Sequence, residues 1–501
     1  MHPQTLFAAV DLGSNSYRLE IGRLENGHLR RVQYIKETVR QGNGLDADRN
    51  LSEEAMQRGW ACLARFGERI ASFRPAHVRA VATQTLREAR NRDVFLTQAR
   101  KILGFPIEVI AGREEARLIY LGVSHLLPDS DERRLVVDIG GRSTELILGQ
   151  GHAPQMLASY RVGSVAWSMK YFPDGQWTAA DFRRSEIAAK AVLDEALSQY
   201  PRTGWDQAYG SSGTIGAVAD ALRTNGWTED AITPEALDWL KNRLIKARQP
   251  ESLRLEGIRD DRLPVLGGGL AVLRAVFELL QIQDMRPAQG ALRHGALFDL
   301  IDRGHPQTDV RSRMIGWLAH HFGADAPQGE RVARAATQLH AQAVSGHAMA
   351  DDSERRLREL QWAAQVHEIG MHIAHSDYHK HGAYILENTD LQGFTVDELH
   401  RVGLLVLGHR GKLRKLQEPI ADPAFVQQLL ALRLAVILCH ARHDPPMQGM
   451  ALRPGCGRLA YRLQLPAGWS SQYPQSAHLL REECLAWQKV GAALTVADGP
   501  A

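Results

Sequence analysis

The stretch Val10-Asp11-Leu12-Gly13-Ser14-Asn15-Ser16-Tyr17-Arg18-Leu19-Glu20-Ile21-Gly22 returns 127 residues later. Its second copy is Val137-Asp138-Ile139-Gly140-Gly141-Arg142-Ser143-Thr144-Glu145-Leu146-Ile147-Leu148-Gly149. Both copies carry Val-Asp, an aliphatic residue and Gly, then Ser, Leu and Gly in the same places. Each follows an apolar run (6–10 and 135–137) and leads into another (17–23 and 145–148), so each reads as strand, tight glycine turn, strand. Self-similarity at a domain-sized offset predicts a duplicated fold with two related halves, not a solenoid.

Between and after these turns the hydrophobic period alternates. Residues 52–72, 91–103, 114–126, 185–199, 213–222 and 270–282 read as helices. The first has Ser52 as N-cap and the last is led by Gly267-Gly268-Gly269. Residues 77–82, 107–110 and 207–209 read as strands, which makes an α/β class. Beyond residue 304 the pattern is almost wholly helical and rich in histidine. Past the Pro445-Pro446 to Gly457 region, 458–465 and 492–496 read as strands flanking a helix at 477–490. The expected domains are 1–127, 128–304, 305–446 and 447–501.

The bulk composition limits the function classes. The chain has 501 residues, 44% hydrophobic and 23% charged, which excludes a disordered, collagen-like or coiled-coil protein and calls for several domains. A net charge of +3 argues against a nucleic-acid coat, and no nucleic-acid partner is expected. The four cysteines (62, 439, 456, 484) form no C-x-x-C pair, so neither a disulfide framework nor a cysteine zinc site is expected, and a cytoplasmic location fits. Asp11 cuts short the N-terminal apolar run, which excludes a signal peptide within it. No apolar stretch is expected to reach the ~18–20 residues of a membrane span. No amphipathic anchor stands out that would carry peripheral membrane association.

A strand ending in Asp and followed by Gly-x-x-Ser suits phosphate and metal chemistry. Glycine lets the backbone approach an anion, successive amides form a concave nest, and the Asp can hold Mg²⁺ directly or through water. A plain hairpin turn is the alternative for either copy alone. Two copies in matched register point to a cleft gripping successive phosphates. Gly213-Thr214-Ile215-Gly216 and Gly267-Gly268-Gly269 each sit before or at the start of a helix, whose first amides also bind anions, although small residues for packing explain them equally well.

These residues carry a resemblance. V-D-L-G-S-N-S at the start, G-R-E-E-A-R-L-I-Y-L-G-V at 112–123, D-I-G-G-R-S-T-E-L at 138–146 and Y-G-S-S-G-T at 209–214 resemble the exopolyphosphatase / guanosine pentaphosphate phosphohydrolase (Ppx/GppA) family. The helical region, with W-A-A-Q-V-H-E-I-G and H-G-A-Y-I-L, resembles its long bacterial form. The resemblance implies duplicated actin-like (ribonuclease H-like) ATPase halves, then an all-α HD-like domain and a small α+β C-terminal domain. It also implies release of terminal orthophosphate from inorganic polyphosphate by Mg²⁺-assisted attack of water in the cleft between the halves. The sister substrate, guanosine pentaphosphate, is the alternative. An ATP-using kinase or chaperone of the superfamily, or a non-catalytic sensor of polyphosphate or alarmone, is a further one.

Under that resemblance Glu115, with Glu145 as second choice, orients and deprotonates the water. Asp11 and Asp138 position the metal. Gly13, Ser14, Asn15, Ser16, Arg87, Gly140, Gly141, Arg142, Ser143, Ser212, Gly213 and Gly268 hold phosphate oxygens, and Arg262 and Arg293 are weaker candidates. Arg142 replaces the third glycine of the family's D-I-G-G-G-S. The first copy has Asn15 there, so the turn tolerates a side chain. His367-Glu368 stands where HD enzymes have His-Asp, among His340, His372, His375, His379, His381, His409, His440 and His443. A competent second metal centre is not expected there. The basic run His409-Arg-Gly-Lys-Leu-Arg-Lys415 would attract a polyanion. A homodimer is expected from the resemblance alone.

Overall fold

The computed structural model describes residues 5–499 apart from 26–27, 228–230, 304–308, 345–352, 390, 456 and 458. The expected boundary at 304/305 and Cys456 therefore lie outside the described residues. The chain divides into two compact units, Met1–Thr308 and Asp309–Ala501.

In the first unit, β1 (Leu6–Leu12), β2 (Ser16–Glu25) and β3 (His28–Thr38) run antiparallel. β4 (Val78–Ala82) and β5 (Ile107–Val109) continue the sheet in parallel, in the order β3-β2-β1-β4-β5. The second sheet repeats this plan with β6 (Arg133–Ile139), β7 (Thr144–Gln150), β8 (Ala153–Tyr160), β9 (Gln207–Ser211) and β10 (Met285–Pro287), in the order β10-β9-β6-β7-β8. The repeated sequence is thus the β1–turn–β2 and β6–turn–β7 hairpin of each half, and the duplicated actin-like fold is present. The central strands β1 and β6 are buried on both faces, which is why they read as unbroken apolar runs.

The helices start where caps are strongest. Ser52 Oγ accepts the Ala55 amide at 3.3 Å and opens Glu53–Ile70. Thr178 Oγ1 accepts the Asp181 amide at 3.1 Å and opens Ala179–Leu193, and the helix expected at 185–199 is two pieces, this one and Ala196–Gln199. The helix expected from 270 begins at Leu263, because Pro264 in its first turn is pre-set for helix. Its glycine triplet is therefore inside the helix. Leu263–Leu280 is also 18 residues long with mean hydropathy 1.7, long and apolar enough to cross a membrane, which overturns the expectation that no such stretch exists. Two thirds of it (67%) is buried, and Leu270, Val272, Leu273 and Val276 form the centre of the second half's core.

Two helices meet without side chains between them. A β-carbon on Gly295 of Leu292–Asp302 would stand 1.8 Å from the Leu118 carbonyl oxygen of Gly112–Ser124. Arg117 binds Glu114 (2.7 Å) and Asp299, and Arg79 of β4 binds Glu108 (3.1 Å), Glu114 (3.3 Å) and Asp299 (2.5 Å). This buried network ties both helices to the first sheet.

The second unit packs Val310–His321, Ala326–Ala343, Ser353–Val366, Tyr378–Asn388, Val396–Gly408 and Pro423–Leu438 with a small sheet. That sheet is β11 (Ala451–Pro454), β12 (Ala460–Leu465) and β13 (Ala493–Asp498), in that order, with Pro474–Gln488 against β13. Leu339, Leu429, Leu463, Leu480 and Trp487 belong to one core. His367 and His409 are buried and turn Nδ1 towards the Ala364 (2.7 Å) and Val406 (2.6 Å) carbonyls. Among the described residues no three His, Cys, Asp or Glu side chains are grouped to hold a metal.

Candidate active site

The two glycine turns face one another across a cleft of about 270 Å³ in the first unit. Each turn is braced from behind. The Ser14 carbonyl accepts the Gly42 amide (2.8 Å), and that of Asn15 accepts the amides of Val39 (3.1 Å) and Arg40 (2.9 Å). In the second half the Gly140 carbonyl accepts the Ser164 amide (2.9 Å), and that of Gly141 accepts Val165 (2.8 Å) and Ala166 (3.1 Å), the first amides of Ser164–Tyr171. A planar trans peptide that turns its carbonyl to such a brace points its N–H the opposite way. The amides of Asn15, Ser16, Gly141 and Arg142 are therefore set as donors facing away from the scaffold. The turns nearly touch: a β-carbon on Gly141 would lie 3.0 Å from Ser14 Cβ.

Four carboxylates gather at this place. Asp11, at the end of β1, is paired in register with Arg18, whose Nη1 donates to it at 2.7 Å. Asp138, at the end of β6, faces Glu145 instead. Burial pushes Asp138 up to about 6, with Asp11 adding to the rise while Ser211 and Arg18 oppose it. Glu115, in the first turn of Gly112–Ser124, is pushed up to about 7 by burial and by Asp138 and Asp11, against the pull of Arg87 at 3.2 Å. Glu145, buried behind the cleft, accepts Ser159 Oγ at 2.7 Å, and burial next to Glu115 and Asp138 holds its carboxyl well above the usual range.

Cations line the rest: Arg18, Lys36, Arg259, Arg262 and Arg293. Burial and the neighbouring Arg262 pull Lys36 down to about 8, and burial and Arg18 pull Arg262 down to about 10. Arg262 Nε is buried with no hydrogen-bond partner, and its guanidinium lies over Gly213. Arg293 is fixed by Glu20 (2.5 Å), which also holds His294 (3.1 Å) and Arg31 (3.1 Å). These cations, all but the exposed Arg259 largely buried, could receive a polyanion. Ser212 lines the cleft with φ 92, a strained conformation for a residue with a β-carbon, at the entry of Ser212–Thr224.

Of the residues expected from sequence, Asp11, Gly13, Ser14, Asn15, Ser16, Glu115, Asp138, Gly140, Gly141, Ser143, Ser212 and Gly213 line the cleft, as do Arg262 and Arg293. Arg87 stands behind Glu115. Two expectations need correction. Gly268 is inside a helix, where a β-carbon would lie 2.4 Å from the Ser168 amide and 2.7 Å from the Ser164 carbonyl oxygen. It allows a close helix crossing, and its amide already donates to Ser168 Oγ (3.1 Å). The Arg142 side chain is committed to Glu88 (3.2 Å) and the Gly42 carbonyl (3.2 Å). Arg18, Tyr34, Lys36, Thr83, Ser164 and Arg259 line the cleft without having been singled out. For Arg18 the signal existed, since it stands at the position equivalent to Glu145.

The arrangement can grip successive phosphates and aim a water from a carboxylate whose proton affinity lies near neutrality. Comparison with known proteins supplies the family. Residues 21–304 match the Ppx/GppA phosphatase family, and residues 310–484 match Ppx/GppA phosphatase, domain III. A Vibrio parahaemolyticus protein named guanosine-5′-triphosphate,3′-diphosphate pyrophosphatase is 39% identical over 493 residues, covering 98% of each chain. A Vibrio cholerae protein of the same name is 40% identical over 447 residues, 89% of each. Among solved structures, an exopolyphosphatase-like protein is 26% identical with TM-score 0.54, covering 60% of this chain and all (100%) of that one. The Aquifex aeolicus member of the Ppx/GppA family is 25% identical with TM-score 0.51, covering 60% and 99%. From the paired turns to the helical second unit, this chain belongs to the Ppx/GppA phosphatase family, and it is a hydrolase of that family.

Proposed function

We propose that this chain hydrolyses guanosine pentaphosphate to the tetraphosphate, releasing the terminal phosphate of the 5′-triphosphate. The observation that carries this is the end-to-end match, at 39% identity over 98% of the chain, to a relative named for that substrate. The resemblance alone had put polyphosphate first. The relatives reverse that order, and hydrolysis of polyphosphate stays as a second reading because the neighbour with TM-score 0.54 is described as exopolyphosphatase-like.

In this reading the terminal phosphate rests between the two turns, and the forward-facing amides meet its oxygens. Arg18, Lys36, Arg262 and Arg293 neutralise the remaining phosphate charge. Glu115, with a proton affinity near neutral pH, takes a proton from the attacking water as the water oxygen bonds to phosphorus and the bridging oxygen leaves. Glu145 beside it accepts Ser159 Oγ, and burial together with Glu115 and Asp138 raises its carboxyl, which favours its neutral form over a second negative charge.

The donor set fits Mg²⁺. It is all oxygen, and the raised carboxyl of Asp138 is one that a cation would settle. Mg²⁺ keeps most of its waters and takes only one or two carboxylates with substrate phosphate. Asp138 would hold it, directly or through water, which leaves Glu115 to take the proton, whereas Asp11 is occupied by Arg18. When bound, the ion supplies neutralisation of charge on the phosphates.

The test is phosphate release by the purified full chain from guanosine pentaphosphate and from long-chain polyphosphate, side by side with Mg²⁺. A kcat/KM for the nucleotide well above that for polyphosphate per chain end is expected. The reverse order restores the second reading, and no release from either refutes both.

A further inference from the structure

Arg142, which stands where the resembling family has glycine, reaches over to the first half of the unit. Its Nε and Nη2 donate to Glu88 Oε2 at 3.3 and 3.2 Å, and its Nη1 donates to the Gly42 carbonyl at 3.2 Å. Gly42 is the residue whose amide braces the first phosphate turn at Ser14. Glu88 in turn accepts Gln84 Nε2 through its other oxygen at 2.6 Å. Gln84 Oε1 accepts Arg87 Nε at 3.0 Å, and Arg87 donates to the Ile110 carbonyl at 2.6 Å and to Glu115 at 3.2 Å. An unbroken chain of side chains thus runs from the second half's phosphate turn to the water-orienting carboxylate on the first.

We infer that Arg142 is a positioning residue: by clasping Glu88 and the Gly42 carbonyl it holds the two phosphate turns edge to edge, and through Glu88, Gln84 and Arg87 it sets the aim of Glu115. Three features support this. The Arg142 and Glu88 side chains are only 21% and 13% exposed, so the pair is shielded from the screening that weakens surface pairs. Each of the three guanidinium nitrogens already has a protein acceptor. The Arg142 backbone is not among the positive-φ residues, so a side chain costs the turn no strain. A glycine there would keep the turn and lose the clasp. The inference rests on the reading that this cleft is the hydrolytic centre.

A direct phosphate ligand and a positioning residue give opposite kinetics. Removing a ligand to the bound substrate raises KM, whereas loosening the aim of Glu115 lowers kcat. Glu88, itself an anion, separates the two further, since it can act only through its partners. The experiment compares the full chain with R142G, R142K, E88A and R142G/E88A in steady-state phosphate release from guanosine pentaphosphate. R142G and E88A should each lower kcat about tenfold with KM within about twofold, as misplacement of a reacting group does. R142K should recover part of the loss, and the double variant should be no worse than either single one, because both break one link. A raised KM with kcat intact, unchanged kcat in both variants, or additive losses would each overturn the inference.

A second arm does not depend on turnover. Spin labels at the exposed Val94 and Ile187, one on each half, should give a narrow distance distribution in the otherwise unaltered chain and a broader one with R142G. An identical distribution refutes the clasp even if the substrate assignment fails. An unlabelled chain that turns over neither substrate refutes the assignment and leaves the clasp to stand or fall on the label distances.

Discussion

Gly295→Ala sets two backbones against each other at the heart of the site. The new β-carbon would stand 1.8 Å from the Leu118 carbonyl oxygen, 2.6 Å from its carbon and 3.0 Å from its Cα. Ordinary contact begins near 3.4 Å, so the helices must part by about 1.6 Å, and no rotamer can absorb it because every opposing atom is backbone. The same seam is closed further along. A β-carbon on Gly122 would lie 2.2 Å from the Ala291 carbonyl oxygen, and one on Gly290 would lie 2.2 Å from that of Gly122. Arg117 and Asp299 bridge the two helices as a buried ion pair that the separation would stretch. Glu115 is one turn from Leu118, and Arg293 is two residues from Gly295, so the displacement moves the acid of the proposed centre relative to one of the cations that line the cleft. Overpacking costs about 1–3 kcal/mol where side chains can adjust, and a backbone clash beside a buried ion pair belongs at or above the upper end, about 3 kcal/mol or more. A shift of about 1 Å in a reacting group costs about 100-fold in rate. Gly216→Ala is the matched control. It is in Ser212–Thr224 with nothing within 4 Å of its would-be β-carbon, so alanine should gain about 0.5–1 kcal/mol from helix propensity alone. Denaturant unfolding and phosphate release on both variants decide it. If G295A unfolds with the parent chain and turns over at the parent rate, the direct helix contact is not what holds the site together.

Other outcomes follow from the same geometry. Glu115→Gln should lower kcat by about 10²–10⁴ while nucleotide affinity, read by calorimetry, changes only a few-fold; equal losses in both would make Glu115 a ligand and not a base. Lys36 has its ammonium pulled down to about 8, so it is charged below that pH and neutral above it. KM for the polyanionic substrate should therefore climb as pH rises through about 8, and Lys36→Arg should flatten that climb; an unchanged profile in K36R removes Lys36 from substrate binding. Burial raises Asp299, but Arg117, Arg79 and Arg303 outweigh it and hold the carboxyl far below its ordinary range. A depressed folded-state value gives stability that is present above the unfolded value of about 3.9 and is lost as pH falls. Asp299→Asn should thus cost about 3–5 kcal/mol at neutral pH, with the gap to the parent narrowing in acid; a constant gap would show that the arginines do not depend on its charge.

The sequence showed the fold where it showed repetition. Asp11 and Asp138 end buried central strands, and their turns recur at one offset, so hairpins, halves and cleft were all legible. Edge strands were not. β3 reads HLRRVQYIKET, with Arg30, Arg31 and Lys36 on a half-solvated strand, and no apolar run marks it. Tyr34 and Lys36 were missed with their strand, because a residue cannot be assigned to a cleft before its backbone is placed. The glycine triplet misled for the opposite reason. It looked like a helix entry, but Pro264 starts the helix earlier and Gly268 serves the Ser164–Tyr171 crossing. Arg142 was legible as a departure but not as a clasp, since nothing in a single chain pairs position 142 with position 88.

The offset that reveals the duplication also shows how the halves diverged. Arg18 and Glu145 occupy equivalent places, each directly across the ladder from its half's aspartate. In the first half Asp11 and Arg18 cancel, and the arginine remains on the cleft wall as an anion receptor. In the second half Asp138 and Glu145 add: burial raises both carboxyls, with Asp11 adding to the rise of Asp138, and Glu115 and Asp138 adding to that of Glu145. Two formal charges separate these equivalent sites, so under the proposed function their side chains would do opposite work, Arg18 drawing phosphate and Asp138 with Glu145 taking a cation or a proton. A symmetric pair would have bound a polyphosphate end in either direction. The asymmetric pair would give the proposed substrate a polarity, with Glu115, whose proton affinity near neutrality suits activation of water, at the acidic side.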